Sequence, residues 1–343
     1  MTVSTGKKGK RGKGRVTLSD VAQRAGTSAI TASRVLNDPN RVSAKLRERV
    51  QQAVLDTGYR PNQAARMLAG SRSYTLAVII PSLSNAVFSS VIKGIYDVCS
   101  PANYEIMIGN TYYSGTQERA LLDKFIHHMP DGIIMSGLEL EPETRKLLKD
   151  AGIPVVQIME TADIEPIDMC VGISHHATGV AMAEYLLEKG YRAPALLASQ
   201  LDRRTQLRMQ GFLERLGQAD VSQRRVITNS EPSSVHLGGR LLGDLLAVHP
   251  DTDAVFCCND DLAWGAIYEC HRRHLKIPSQ IAIAGFNDLE PSACINPTLT
   301  SIAIPLYEIG ANAAHMMLAR LQDETLEAPR RDLGFVVQKR ESA

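Results

Sequence analysis

Two sets of side chains in this 343-residue sequence have the types and spacing that do chemistry. The first is Ser28-Ala29-Ile30-Thr31, followed one helical turn later by Arg34. Small and hydroxylated residues suit close approach to a nucleic-acid duplex: hydroxyls bond phosphate, methyl groups meet thymine, and a guanidinium forks onto guanine or phosphate. The second set lies at the ends of apolar runs. It comprises Ser82 to Asn85 with Phe88, then Ser136, Met159-Glu160, Arg203-Arg204-Thr205 with Arg208, Asn259-Asp260-Asp261 and Asn287-Asp288. Hydroxyls, amides, carboxylates and arginines beside a flat aromatic face suit a polyol, and a guanidinium suits its carboxylate where it has one.

The first set needs a rigid helix to present it. Thr17-Leu18-Ser19-Asp20 is a helix start signal, with Asp20 on the positive helix end, and Gly26 stops that helix after about two turns. Thr27 or Ser28 can cap a second short helix that buries Ala29, Ala32, Val35 and Leu36 and ends at Asn37 and Pro39. A third helix is expected from about Ala44 to Thr57, burying Leu46, Val50, Ala53 and Val54 and stopping at Gly58. Short helices joined by a glycine-containing turn are helix-turn-helix geometry, in which the second helix enters the major groove by its N-terminal residues. Pro61 then opens a two-turn helix through Ala69, too short to be stable alone.

The second set needs strand ends. From Thr75 the apolar runs Leu76–Ile80, Glu105–Ile108, Gly132–Met135 and Pro154–Ile158 alternate with helical stretches such as Phe88–Val98 and Gln117–His127. A second series runs Ala195–Ala198, Arg225–Thr228, Ala254–Cys258 and Ile281–Phe286, with helices near 176–189, 204–216, 235–248 and 261–274. Thr300–Ile304, a helix from about Pro305 to Leu321 and one short strand at Gly334–Val337 follow. Alternating strand and helix predicts two doubly wound α/β halves, with the binding site outside the carboxyl ends of the strands. Asn259 and Asp260 are equally placed to cap the helix that starts near Asp261, and one residue can do both.

Charge divides the chain the same way. The formal net charge of +1 conceals 15 Lys and Arg against 4 Asp and Glu in residues 1–74, leaving 23 basic against 33 acidic residues beyond. A basic head on an acidic body is the electrostatic footprint of a nucleic-acid binder whose larger part avoids the duplex. Residues 2–14, rich in Gly, Lys and Arg, have nothing to bury and are expected to be a disordered basic tail, adding phosphate contacts or solubility. No apolar run nears the roughly 18–20 residues that cross a bilayer, and no secretory leader is evident, so a cytoplasmic protein with no membrane partner is expected. The six cysteines show no C-x-x-C spacing, and the histidine pairs lack partners at ligand spacing, so neither disulfides, a metal nor a cofactor is expected. Gly9 to Gly14 lacks the Lys-Ser/Thr of a phosphate loop. An enzyme acting on a sugar acid, the alternative reading of such a body, finds no G-x-G-x-x-G after a strand and no G-x-S-x-G elbow.

The stretches VTLSDVAQRAGTSAITASRVLN and VSAKLRERVQQAVLDTGYRPNQAARMLAG resemble the DNA-binding headpiece and hinge of the lac repressor family. AVFCCNDDLAWGA, KIPSQIAIAGFND and NPTLTSI extend the resemblance over residues 75–340, and IPVVQIMET and QLDRRTQLRMQGF look most like the gluconate repressors within it. The resemblance implies a helix-turn-helix headpiece at 15–61, a hinge helix at 62–74, and two doubly wound α/β subdomains of periplasmic-binding-protein type. These would share residues 75–343, the N-subdomain holding about 75–173 and 304–331 and the C-subdomain about 174–303 and 332–343. It implies a homodimeric repressor on a pseudo-palindromic operator, controlled by a sugar acid such as gluconate, 2-ketogluconate or 6-phosphogluconate, most simply as an inducer. DNA contacts would come from Thr17, Ser28, Ala29, Ile30, Thr31, Arg34, Asn37, Asn62 and Leu68. In the family, Leu68 would wedge into the minor groove, where the alternative is a linker packed on the body. Effector contacts would come from Ser82, Phe88, Ser136, Glu160, Arg204, Arg208, Asn259 and Asn287. The chain departs from the family with Asn287 where many members carry Asp, and with Glu160 one place along from the common acidic position.

Overall fold

The computed structural model describes residues 16–37, 41–59, 72–161, 164–219, 221, 225–325 and 328–343. They fall into two compact units, divided between Ser73 and Tyr74. The expected basic tail and hinge helix, with Asn62 and Leu68, lie outside the described residues.

In the smaller unit, α1 (Leu18–Arg24), α2 (Ala29–Asn37) and α3 (Ala44–Thr57) close over a core of Val21, Ala22, Ala32, Val35, Val50 and Ala53. The Asp20 carboxylate accepts both the Thr17 amide (2.7 Å) and the Thr17 hydroxyl (2.8 Å), tying down the first turn. Gly26 takes a positive φ of 60° in the turn between α1 and α2, and Gly58 does the same (64°) beyond α3. Two arginines fasten the three helices. Arg49 donates to the turn carbonyls of Ala25 (2.9 Å) and Gly26 (3.2 Å), and Arg24 pairs with Asp56 at 2.8 Å.

The larger unit begins β1 (Thr75–Ile80), α4 (Ala86–Cys99), β2 (Glu105–Asn110), α5 (Gly115–His127), β3 (Gly132–Ser136), α6 (Pro142–Ala151), β4 (Val155–Glu160) and β5 (Met169–Ile173). It continues α7 (His175–Glu188), β6 (Pro194–Ser199), α8 (Arg203–Gln218), β7 (Arg225–Asn229), α9 (Val235–Val248), β8 (Ala254–Cys257), α10 (Asp260–Arg272), β9 (Ala282–Asn287) and β10 (Thr300–Ala303). Last come α11 (Leu306–Leu321), β11 (Arg330–Asp332) and β12 (Val336–Gln338). Two six-stranded sheets result, ordered β11-β5-β4-β3-β1-β2 and β12-β10-β9-β8-β6-β7, parallel throughout except where β12 runs against β10. The chain passes between the sheets after β5, after β10, where α11 returns to pack on β3, β4 and β5, and again after β11. Among the described residues no helix is long and apolar enough to cross a membrane.

β5, α6 and β11 escape the sequence pattern, and the short strand expected at Gly334–Val337 is β12, just after β11. An Asx turn separates the pair, with Gly334 at φ 68° and its amide on the Asp332 carboxylate (2.8 Å).

Three helix pairs cross at glycines. A Cβ on Gly94 or Gly310 (α4, α11), on Gly179 or Gly211 (α7, α8), or on Gly238 or Gly265 (α9, α10) would stand 2.0–2.2 Å from a partner carbonyl oxygen. The helices therefore touch backbone to backbone, which fixes α8 and its cleft-facing arginines as a rigid piece. Gly211→Ala is expected to cost about 1–3 kcal/mol in urea unfolding, as overpacking does. Gly217→Ala, on the same helix with nothing within 4 Å, is expected to be neutral or slightly stabilising.

Candidate functional site

On the headpiece, Ser28 caps α2, its Oγ accepting the Thr31 amide at 3.1 Å and lying 2.8 Å from the Thr31 hydroxyl. Ile30 is 74% exposed. Arg34 is exposed one turn on, whereas Ala29 is half-buried against the headpiece core. Ser28, Ile30 and Arg34 thus form an outward face, with Thr31 half-buried beside them and Thr17 exposed at the start of α1. Asn37 closes α2, and nothing is described of its side chain.

In the body, a cavity of about 610 Å³ opens at the carboxyl ends of both sheets. Ser82, Phe88, Arg204, Arg208, Asn259 and Asn287 line it, six of the eight side chains expected there. Ser136 and Glu160 instead line a neighbouring cavity of about 260 Å³, with Arg204 and Tyr113 bordering both. Glu160 is 1% exposed and accepts Arg203 Nε at 3.0 Å, so it is already occupied. Ser136 likewise accepts Arg204 Nη1 at 3.0 Å. Both bonds run from the first turn of α8, in the second half of the body, to strand ends of the first half.

Asn259 precedes α10 but makes no capping bond, leaving its amide to the cavity, while Asp260 is structural. The Asp260 carboxylate is buried and accepts the Leu289 amide (2.7 Å) and the hydroxyls of Ser292 (2.9 Å) and Ser301 (2.7 Å). Asn287 ends β9 at φ 110°, a conformation that costs a non-glycine residue about 1–3 kcal/mol. Met159 (φ 80°) and Gln200 (φ 65°) also turn in the left-handed region at strand ends around the same cleft.

The electrostatic centre is two guanidiniums around one carboxylate. Asp202 caps α8 through the Thr205 amide (3.0 Å) and pairs with Arg204 at 2.7 Å. Burial opposes its charge, but Arg204 and Arg208 outweigh burial and hold its carboxyl well below the usual range. Arg208 is 5% exposed, stacks 4.1 Å over the Phe286 ring, and among the described residues bonds only to neutral groups: Thr205 Oγ1 (2.9 Å), His175 Nδ1 (3.0 Å) and the Cys258 thiol. Its Nε is buried without a partner. Burial, and repulsion from Arg204, push its guanidinium below its ordinary pKa.

His175 holds this arrangement in place. Its Nε2 lies 3.0 Å from the Met159 carbonyl, which can only accept, so Nε2 carries the proton and the bare Nδ1 accepts from Arg208. Burial, with the two arginines adding to it, drops the imidazole well below its ordinary pKa and keeps it neutral. His175, Asp202, Tyr113 and Trp264 were not singled out from the sequence. Asp202 had a signal as the residue preceding Arg203-Arg204-Thr205. His175 follows β5, and without that strand its position at a strand end was hidden.

Residues 17–62 match the family described as bacterial regulatory proteins, lacI family, and residues 183–343 match a periplasmic binding protein-like domain. The chain is 41% identical to the HTH-type transcriptional regulator GntR of Pseudomonas aeruginosa, over all of both chains. A LacI-family transcriptional regulator from Silicibacter pomeroyi superposes with a TM-score of 0.88 at 35% identity, covering 95% of this chain and 99% of that one. The transcription regulator GntR from Chromobacterium violaceum gives a TM-score of 0.76 at 39% identity, covering 78% of this chain and 98% of that one. The chain belongs to the lacI family: a helix-turn-helix DNA-binding transcriptional regulator with a periplasmic-binding-protein-like α/β body, and not an enzyme.

The bridge between halves is open to a direct test. Arg203→Ala strands a buried carboxylate and is expected to cost about 3–5 kcal/mol in urea unfolding. Glu160→Gln, which leaves no buried charge behind, is expected to cost much less. Equal losses from the two substitutions would mean that the pair does not carry a buried charge.

Proposed function

We propose that this regulator is a cytoplasmic repressor that binds a pseudo-palindromic operator as a homodimer and is released by a sugar acid, gluconate or a relative such as 2-ketogluconate or 6-phosphogluconate. The observation that carries the effector reading is Arg208, a buried cation on the cavity wall whose hydrogen-bond partners among the described residues are all neutral. A carboxylate is the group that would satisfy it, and the Ser82 hydroxyl with the Asn259 and Asn287 amides offers hydrogen bonds to a polyol chain. Resemblance to the gluconate repressors and likeness to proteins called GntR favour the aldonates among sugar acids.

A single three-helix module covers too little duplex for tight selective binding, which supports two headpieces on paired half-sites. Ser28, Ile30 and Arg34 are proposed to meet base edges, with Thr17, Ala29, Thr31, Asn37 and Asn62 at bases or phosphates nearby and Leu68 wedged at the operator centre. Closure of the body halves on the effector would change the geometry near Tyr74 and separate the hinge helices.

Arg208→Ala is expected to weaken calorimetric binding of gluconate roughly 10–100-fold, the worth of charge-assisted hydrogen bonds, while leaving operator affinity intact. Absence of heat from any sugar acid with the unaltered protein would contradict the effector reading.

A further inference from the structure

The large cavity is charged unevenly, and the topology of the second sheet explains how. α8 packs with α7, and its Phe212 and Leu216 join the larger core of the body. α10 packs with α9, and its Leu262, Ala266 and Ile267 lie in a separate core. β6 and β8, the strands that lead into α8 and α10, are neighbours in the sheet. The first turns of the two helices therefore flank the same strand ends from opposite faces.

One flank carries Arg204 and Arg208 against the single carboxylate of Asp202, and so bears a net positive charge. The other carries Asp261, which also lines the cavity. Asp261 Oδ1 accepts the Ser233 hydroxyl (2.5 Å) and the Leu262 amide (3.1 Å). Burial raises its carboxyl above the ordinary range, opposed only by those hydrogen bonds and its own backbone, with no cation contributing. Among the described residues no ion pair reaches Asp261.

Resting on the sugar-acid reading of the cavity, we infer that Asp261 is a specificity-determining residue that admits aldonates, charged at one end only, and rejects aldarates, in which a second carboxylate replaces the terminal hydroxyl. With the ligand carboxylate on Arg208, the polyol chain crosses the strand ends toward Asp261. A terminal hydroxyl donates to this carboxylate. A terminal carboxylate has no hydrogen to give and meets a like charge in a partly buried site.

Calorimetry of the full chain with D-gluconate and D-glucarate, on the unaltered protein and on Asp261→Asn, tests the inference. The unaltered protein is expected to bind gluconate about tenfold or more tightly than glucarate, the discrimination that one like-charge contact supplies. The amide keeps an acceptor for Ser233 and Leu262 while removing the charge, and is expected to bring the ratio to roughly threefold or less by tightening glucarate. Equal affinities in the unaltered protein overturn the inference, as does an unchanged ratio in a variant with a native thermal melt. Heat from neither acid overturns the sugar-acid reading and the inference with it, whereas heat from both without discrimination overturns only the inference.

Discussion

The body is organised around a buried positive charge that the protein neutralises only in part. Desolvating a guanidinium is tolerable when a carboxylate faces it, yet Arg208 faces an imidazole, a hydroxyl, a thiol and an aromatic ring. Asp202, the carboxylate acting on it among the described residues, is shared with Arg204. Folding alone does not call for such an arrangement, since an apolar side chain would serve as well in the core. It is what a site needs if an anion is to supply the missing charge, and the neutral tautomer of His175 keeps the guanidinium aimed while it waits.

What surrounds Arg208 connects it to the rest of the molecule. α8 is held backbone to backbone against α7 by Gly179 and Gly211, so its first turn cannot shift without moving both helices. That same turn reaches the first half of the body through Arg203 on Glu160 and Arg204 on Ser136. An anion drawn to Arg208 would therefore act on a stiff lever that spans the cleft. A tenfold change in operator occupancy needs only about 1.4 kcal/mol of preference between two arrangements of that lever, well within what one charge-assisted contact provides.

Much of this was legible in the residues, and the omissions have physical causes. The three headpiece helices follow from Gly26, Gly58 and the spacing of Val21, Val35 and Val50, because local punctuation and a tiny core leave few alternatives. The buried parallel strands announce themselves as unbroken apolar runs. β5, MCVGI, is no less buried, but Cys and Gly weaken the β signal. Glu160 illustrates a different limit. Its place at a strand end is readable, but its capture by Arg203, 43 residues on, depends on the carboxyl ends of the two sheets facing each other, and no local pattern encodes that. The hydrogen bonds that fix the histidine tautomer are likewise set only once both halves are folded.

The central claim is that one cationic contact in the cavity governs occupancy of DNA. It is tested most directly by fluorescence anisotropy of a labelled operator duplex, titrated with gluconate in the presence of the unaltered protein and of Arg208→Ala. Equal operator binding by both proteins is expected before gluconate is added, then release of the unaltered protein and retention of the variant. Release of both at the same gluconate concentration, or of neither, would contradict the claim.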